Sequence, residues 1–217
     1  MQNRQEFWIK GSFCLLLFVI LGYTVRFYPQ NLVAFDSGLQ TAIRGDLPSS
    51  LTSFFTTLTK IGNMPVIITW VTLISVFLLW KRYYSESLLL VGNLVLTGLL
   101  VVILKNIYQR PRPSIEHLVV ENGFSFPSGH ALAASLVLGS LLVIVSQTIH
   151  LGKLRRFLQG LFIFLILALP LSRVYLGVHY PSDVIGSLLL GSGILCLEMP
   201  AYQRLRFRWR FTGKQAR

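Results

Sequence analysis

Leu88-Leu89-Leu90-Val91-Gly92-Asn93-Leu94-Val95-Leu96-Thr97-Gly98-Leu99-Leu100-Val101-Val102-Ile103-Leu104 runs without a charged side chain and ends on Lys105. At about 1.5 Å per helical residue, a run of this length crosses the roughly 30 Å of hydrocarbon in a bilayer. A soluble core helix would instead carry one polar face. Runs of the same kind lie near 8–27, 64–80, 130–149, 157–172 and 181–199, with the quoted one covering 85–105. The expectation is an all-α, polytopic membrane protein with six transmembrane helices. A composition 53% hydrophobic and only 13% charged excludes an ordinary soluble domain, and 217 residues leave room for one domain, 1–217.

The first run, Gly11 to Val25, has the length of a secretory signal. Arg26-Phe27-Tyr28-Pro29 follows it where a cleavage site would need small residues, so it reads as a retained helix. Cys14 and Cys196 fall inside apolar spans and read as small buried hydrophobes, not as a disulfide or metal pair.

The net charge is +12, and its distribution orients the chain. With the N-terminus inside, the cytoplasmic segments hold Arg4, Lys10, Lys81, Arg82, Lys153, Arg155, Arg156, Arg204, Arg206, Arg208, Arg210, Lys214 and Arg217. Arg26, Arg44, Lys60, Lys105, Arg110, Arg112 and Arg173 remain outside. That bias obeys the positive-inside rule and places both termini in the cytoplasm. Between the first two spans, residues 28–63 carry Asp36-Ser37-Gly38 and Asp46-Leu47-Pro48-Ser49-Ser50. Each reads as the capped start of a short helix at the outer interface, with Phe54, Phe55 and Leu58 facing lipid or the bundle. The segment serves as a packed cap or as a gate for a lipid tail. In the tail, 200–217, Arg204, Arg206, Arg208 and Arg210 alternate with Leu205, Phe207, Trp209 and Phe211. Directly after a membrane span, that pattern suits anionic lipid headgroups and excludes nucleic acid as a partner.

Three polar clusters interrupt the apolar pattern, all at the outer ends of spans: Lys105 with Arg112-Pro113, Pro127-Ser128-Gly129-His130, and Ser172-Arg173 with His179 and Asp183. Adjacent helices can bring them together. Two guanidinium forks and an ammonium suit a phosphoryl group, whose charge spreads over its oxygens in transfer. Snorkelling to the interface is the bland account of Lys105 and Arg173 taken singly. Pro127-Ser128-Gly129-His130 reads as a loop entering a helix, where Gly129 allows close approach and free amides favour an anion. Ser128 adds a hydroxyl there, as an anion donor or only as the N-cap. His179 and Asp183 lie four residues apart, so the carboxylate can fix one ring nitrogen and leave the other to attack. His130 is placed to protonate a leaving oxygen. Two histidines and an aspartate also form a possible metal set, but three cations in the same pocket oppose a divalent ion. His117 and His150 lack such company and read as loop residues.

The spacing Lys105-x6-Arg112-Pro113, Pro127-Ser128-Gly129-His130, Ser172-Arg173-x5-His179-x3-Asp183 resembles the three-part signature of the type 2 phosphatidic acid phosphatase superfamily. The six spans resemble its membrane branch. The resemblance implies a lipid phosphatase without metal or other cofactor. In it, His179 attacks phosphorus, Asp183 orients His179, and His130 protonates the leaving oxygen. Lys105, Arg112, Ser128, Gly129 and Arg173 hold phosphate. The chain's size resembles bacterial members acting on undecaprenyl diphosphate or phosphatidylglycerophosphate; phosphatidic acid is a further candidate substrate. Nothing in the signature reads the lipid or the oligomeric state. A lipid phosphotransferase would use the same site. A non-catalytic lipid-phosphate binder or transporter would need neither nucleophile nor acid.

Overall fold

The computed structural model describes residues 4–216, which are helical and loop in structure with no strand among them. The helices are α1 (Arg4–Phe27), α2 (Val33–Arg44), α3 (Ser49–Thr59), α4 (Met64–Trp80), α5 (Tyr84–Tyr108), α6 (Gly129–Ala133), α7 (Gly139–Thr148), α8 (Gly152–Tyr175) and α9 (Pro181–Phe211). A π-helical turn, Ala134–Leu138, joins α6 and α7 into one continuous segment, Gly129–Thr148. Arg217, counted above among the cytoplasmic cations, lies outside the described residues.

Among the described residues, five helical segments are long and apolar enough to cross a membrane: α1, α5, Gly129–Thr148, α8 and α9. The expected span 64–80 is α4, which has 17 residues. It passes the same criterion together with Ser49–Gly62, to which it is joined at a 55° bend. Gly129–Thr148 is the central helix, 72% buried, whereas α1 and α5 turn most of their surface outward. Its Ala133, Val137, Leu141 and Ile144 pack against Phe55 and Leu58 of α3, Val71 of α4 and Leu169 of α8. Leu132 and Leu136 meet Phe18 of α1 and Leu190 of α9. Where α1 crosses α9, Gly11 and Gly193 leave no room for a Cβ on either side, the close approach by which membrane helices associate.

Helix ends depart from the expected boundaries where charge was taken for structure. α8 begins at Gly152, because Lys153, Arg155 and Arg156 mark a bilayer edge without ending a helix. α9 continues past Met199 through Pro200 to Phe211, so the alternating tail is helical. Phe207 and Phe211, four apart, stack on an exposed face with centroids 6.1 Å apart. Arg206 and Arg210 instead turn to buried Glu86 at the start of α5.

The two short helices after α1 are present, but their expected caps are not. The N-caps are Leu32 and Pro48, and neither makes a side-chain capping bond. Asp36 is buried within α2, and its carboxylate reaches α9 instead. Phe55 and Leu58 join the core, while Phe54 stays exposed.

Candidate active site

The three clusters converge at one end of the bundle, where α5 stops, α6 starts, α8 stops and α9 starts. Glu121, in the loop between α5 and α6, draws two of them together by pairing with Arg173 and, at 3.6 Å, with Arg112. Arg173 also donates through Nη1 to Thr59 Oγ1 at 2.7 Å, while its buried Nε has no partner among the described residues. Arg112 donates to the carbonyls of Gly123 (3.0 Å), Val178 (2.7 Å) and Asn122 (2.9 Å). Its Nη1 also stands 3.5 Å from His179 Nε2. It therefore staples the α5–α6 loop to the His179 turn while presenting charge to the imidazole. Lys105, half-buried in the last turn of α5, lies within electrostatic reach of Arg112, Arg173, Glu121 and Asp183. It makes no ion pair among the described residues.

His179 sits in the turn between α8 and α9. Gly177 makes that turn with φ of 79°, a left-handed conformation that costs glycine little. The backbone of the turn is held by Gln40 of α2, which donates to His179 O at 3.4 Å, and by Arg44, which donates to Tyr175 O at 3.2 Å. His179 Nδ1 lies 3.5 Å from Asp183 Oδ2. That is looser than the direct hydrogen bond expected from their spacing, because the hydroxyl of Ser125 is close to both. It donates to Asp183 Oδ2 and stands 3.4 Å from Nδ1. Burial pushes the His179 imidazole down to about 4. The nearby Asp183 carboxylate opposes that shift, and Arg173 and Arg112 add to it. Near neutral pH the ring is therefore uncharged, as a nucleophile must be.

Ser128 is the N-cap of α6. Its hydroxyl oxygen accepts weakly from Ala131 N at 3.5 Å, and the residue is fully buried. Its hydroxyl hydrogen is left to donate elsewhere. A Cβ on Gly129 would make only ordinary contact with Val101, so protein packing does not require glycine here. Glycine keeps the start of α6 open. His130 Nε2 lies 3.3 Å from Asn63 Oδ1, an acceptor that favours a proton on that nitrogen. Gly62 lies against the ring and leaves no room for a Cβ.

Sequence reasoning missed Asp36, Arg110, Glu121, Ser125, Thr59 and Asn63. Arg110 Nη1 donates to Asp183 Oδ1 at 2.6 Å, and its Nη2 donates to Asp36 Oδ2 at 2.7 Å. Arg110 and Asp36 also line a cavity of about 620 Å³ with Tyr180, Gln40 and Tyr108. Asp183, Lys105, Arg112, Ser128, Gly129 and Arg173 lie outside that lining.

Comparison with known proteins agrees with the geometry. The model of the PAP2 superfamily matches residues 86–207. Phosphatidylglycerophosphatase B of Bacillus subtilis (strain 168) is 30% identical over 142 residues, which cover 65% of this chain and 70% of that protein. Undecaprenyl-diphosphatase of Sulfolobus acidocaldarius is 29% identical over 205 residues, 91% of each chain. The crystal structure of the transmembrane PAP2-type phosphatidylglycerolphosphate phosphatase from Bacillus subtilis superposes with a TM-score of 0.79 at 26% identity. The superposition covers 90% of this chain and 96% of that one. The family match spans all three polar clusters, from Lys105 to Asp183, and the chain belongs to the PAP2 superfamily of phosphatases.

Proposed function

We propose that this protein is a metal-independent lipid phosphatase working through a phosphohistidine on the extracytoplasmic face of a cell membrane. The observation that carries the reading is the two-sided setting of His179. Asp183 and Ser125 stand behind its Nδ1, and Arg112 stands before its Nε2. A phosphoryl group beside Nε2 would meet Arg112, Arg173 and Lys105, with Ser128 and the amides at the start of α6 as further donors.

In the first step Nε2 of His179 attacks phosphorus and forms an N–P bond as the P–O bond to the lipid breaks. Beside the bound phosphate anion His130 is held as the imidazolium, and it gives its extra proton to the departing oxygen. That oxygen belongs to an alcohol for a phosphomonoester and to a lipid monophosphate for a diphosphate. Asp183 balances the positive charge that develops on the imidazole. In the second step His130 takes a proton from water, whose oxygen attacks phosphorus. Inorganic phosphate leaves and His179 is regenerated.

Six crossings follow if α4 spans, since its 17 residues reach about 25 Å at ~1.5 Å each. α2 and α3 then lie at the outer interface. Arg82, Arg206 and Arg210 gather at the end opposite His179, where the tail bonds back to the α4–α5 turn through Ala216 N and Arg82 O at 3.0 Å. The positive-inside rule makes that end cytoplasmic. Arg204 and Arg208 remain exposed there beside Phe207 and are free to meet anionic lipid, at about 1 kcal/mol each.

The test is phosphate release by purified protein in mixed micelles containing EDTA. Undecaprenyl diphosphate, phosphatidylglycerophosphate and phosphatidic acid are compared, with His179→Ala as control. The expected result is EDTA-resistant release that the substitution abolishes, with the rate ranking naming the preferred lipid. Release by His179→Ala at the normal rate removes His179 as nucleophile, and no release from any lipid overturns the phosphatase reading.

A further inference from the structure

We propose that Arg110, anchored by Asp36, is a positioning residue for Asp183, an inference that rests on the reaction proposed above. The two oxygens of Asp183 have separate partners. Oδ2 faces His179, accepts from Ser125 and accepts the Tyr180 amide at 2.9 Å. Oδ1 accepts from Arg110 Nη1 at 2.6 Å. The terminal torsion of a carboxylate is soft. Gripping Oδ1 therefore adds to the Ser125 and Tyr180 bonds in fixing where Oδ2 points.

Arg110 is itself immobilised. Nη1 also donates to Ser182 Oγ at 2.7 Å, Nη2 donates to Asp36, and the guanidinium lies 4.0 Å over the ring of Tyr180. Asp36 in turn accepts the backbone amide of Ser182 at 2.9 Å and the Ser182 hydroxyl at 2.7 Å. A carboxylate from α2 thus satisfies a free amide in the first turn of α9, where negative charge is favoured. Asp36, Arg110 and Asp183 are all buried. Without the guanidinium, two buried carboxylates would lie close together without a cation between them.

This role differs from that of the other arginines. Arg112 and Arg173 both reach Glu121, on the phosphate-facing side. Arg110 lies behind Asp183 and walls it off from the 620 Å³ cavity that Arg110 and Asp36 line. Its side-chain hydrogen bonds go to Asp183, Asp36 and Ser182, and none goes to His179. It acts on the reaction through the carboxylate alone.

The separating readout is the acid limb of kcat/KM, which reports His179 in the free enzyme. The charged and polar groups facing His179 are Asp183 on α9, Arg173 on α8, His130 on α6, and Arg112 and Ser125 in the α5–α6 loop. Removing the Arg110 charge leaves the charges on the other groups unchanged but strips the Asp183 carboxylate of its compensating cation. The imidazole then holds its proton more tightly, and the acid limb moves to higher pH.

Arg110→Gln, Arg110→Lys and Asp36→Asn are compared with wild type in the micelle assay. Arg110→Gln is expected to lower kcat about 100-fold, as a misplaced catalytic group does. KM and inhibition by inorganic phosphate are expected to stay within about threefold, with the acid limb shifted upward. Arg110→Lys should recover part of the loss. A wild-type kcat in Arg110→Gln overturns the inference. So does weakened phosphate inhibition with kcat intact, which would make Arg110 a phosphate ligand. A lower kcat with an unmoved acid limb and no recovery in Arg110→Lys leaves only a scaffolding role and also overturns it. If Arg110→Gln does not fold, Asp36→Asn decides: a lower kcat with KM and phosphate inhibition within about threefold supports the inference, and a wild-type kcat overturns it. Wild-type protein that releases no phosphate fails the function proposed above, whereas an active wild type beside a fully active Arg110→Gln fails this inference alone.

Discussion

Thr59, the last residue of α3, accepts a hydrogen bond of 2.7 Å from Nη1 of buried Arg173. The end of α3 is thereby fastened to Arg173 as well as packed into the core through Phe55 and Leu58. Thr59→Val keeps the shape and removes the acceptor, leaving a charged donor unpaired. A hydrogen bond to a charged group contributes about 1.5–3 kcal/mol, so kcat/KM for a lipid phosphate should fall at least about tenfold. Arg173→Ala should cost more, about 10²–10³ in kcat, as for other lost transition-state donors. Equal rates in wild type and Thr59→Val would mean that Glu121 alone suffices to hold Arg173.

The pH dependence follows from His179. Burial holds its folded-state value at about 4, below the usual 6.5. The acid limb of kcat/KM should therefore stay flat from neutral pH to about 5 and fall below that. The sign for stability runs the same way. As pH falls from 6.5 towards 4, the unfolded chain takes up the proton first, so the folded state loses stability across that window. The contribution is complete above 6.5. An acid midpoint near 6.5 in the rate profile would indicate an imidazole open to water.

Five of the six expected spans were legible because an apolar run of bilayer length has few other uses, whereas α4 qualifies only together with Ser49–Gly62. The signature was legible because its spacing is fixed. The structure brings together Lys105, Arg112, His130, Arg173, His179 and Asp183 as their order suggested. Ser125 was not legible, and it loosens the direct His179–Asp183 contact that the spacing implied. Asp36, Arg110 and Asp183 come from distant parts of the chain, where no local periodicity connects them. One signal was available. The chain has only eight acidic residues, so an acid lying between two apolar runs needed a named cation more than it needed a capping role.

Gly177 tests whether the His179 turn is as constrained as its contacts indicate. Its φ is 79°, and an added Cβ would press into the Arg44 guanidinium and the Glu116 carbonyl. The left-handed conformation alone costs an alanine about 1–2 kcal/mol. Gly177→Ala should lower the thermal midpoint in detergent and reduce kcat further than the loss of folded protein explains. A variant with normal kcat would show that the turn adjusts without moving His179.

Glu86 offers the converse case, a buried charge far from the chemistry. It is fully buried and accepts from Arg206 Nε at 2.7 Å, from Ser85 Oγ at 2.8 Å and from Gln215 Nε2 at 3.3 Å. Breaking a buried pair by removing one partner typically costs about 3–5 kcal/mol. Glu86→Ala should destabilise the protein by about that amount in denaturation measurements. The kcat of the folded fraction should be unchanged, because the cluster lies at the opposite end from His179. A fall in that kcat would reveal coupling along α5 or α9 between the two ends.

Sidedness is testable with two exposed residues at opposite ends. Val120 is 91% exposed in the loop beside Glu121, and Leu151 is 70% exposed between α7 and α8. In a background with Cys14 and Cys196 replaced, Val120→Cys should react with a membrane-impermeant maleimide in intact cells. Leu151→Cys should react only after permeabilisation. The excess of arginine and lysine at the Leu151 end underlies this expectation. The reverse labelling would turn the His179 site to the cytoplasm and make its substrate a lipid of the inner leaflet.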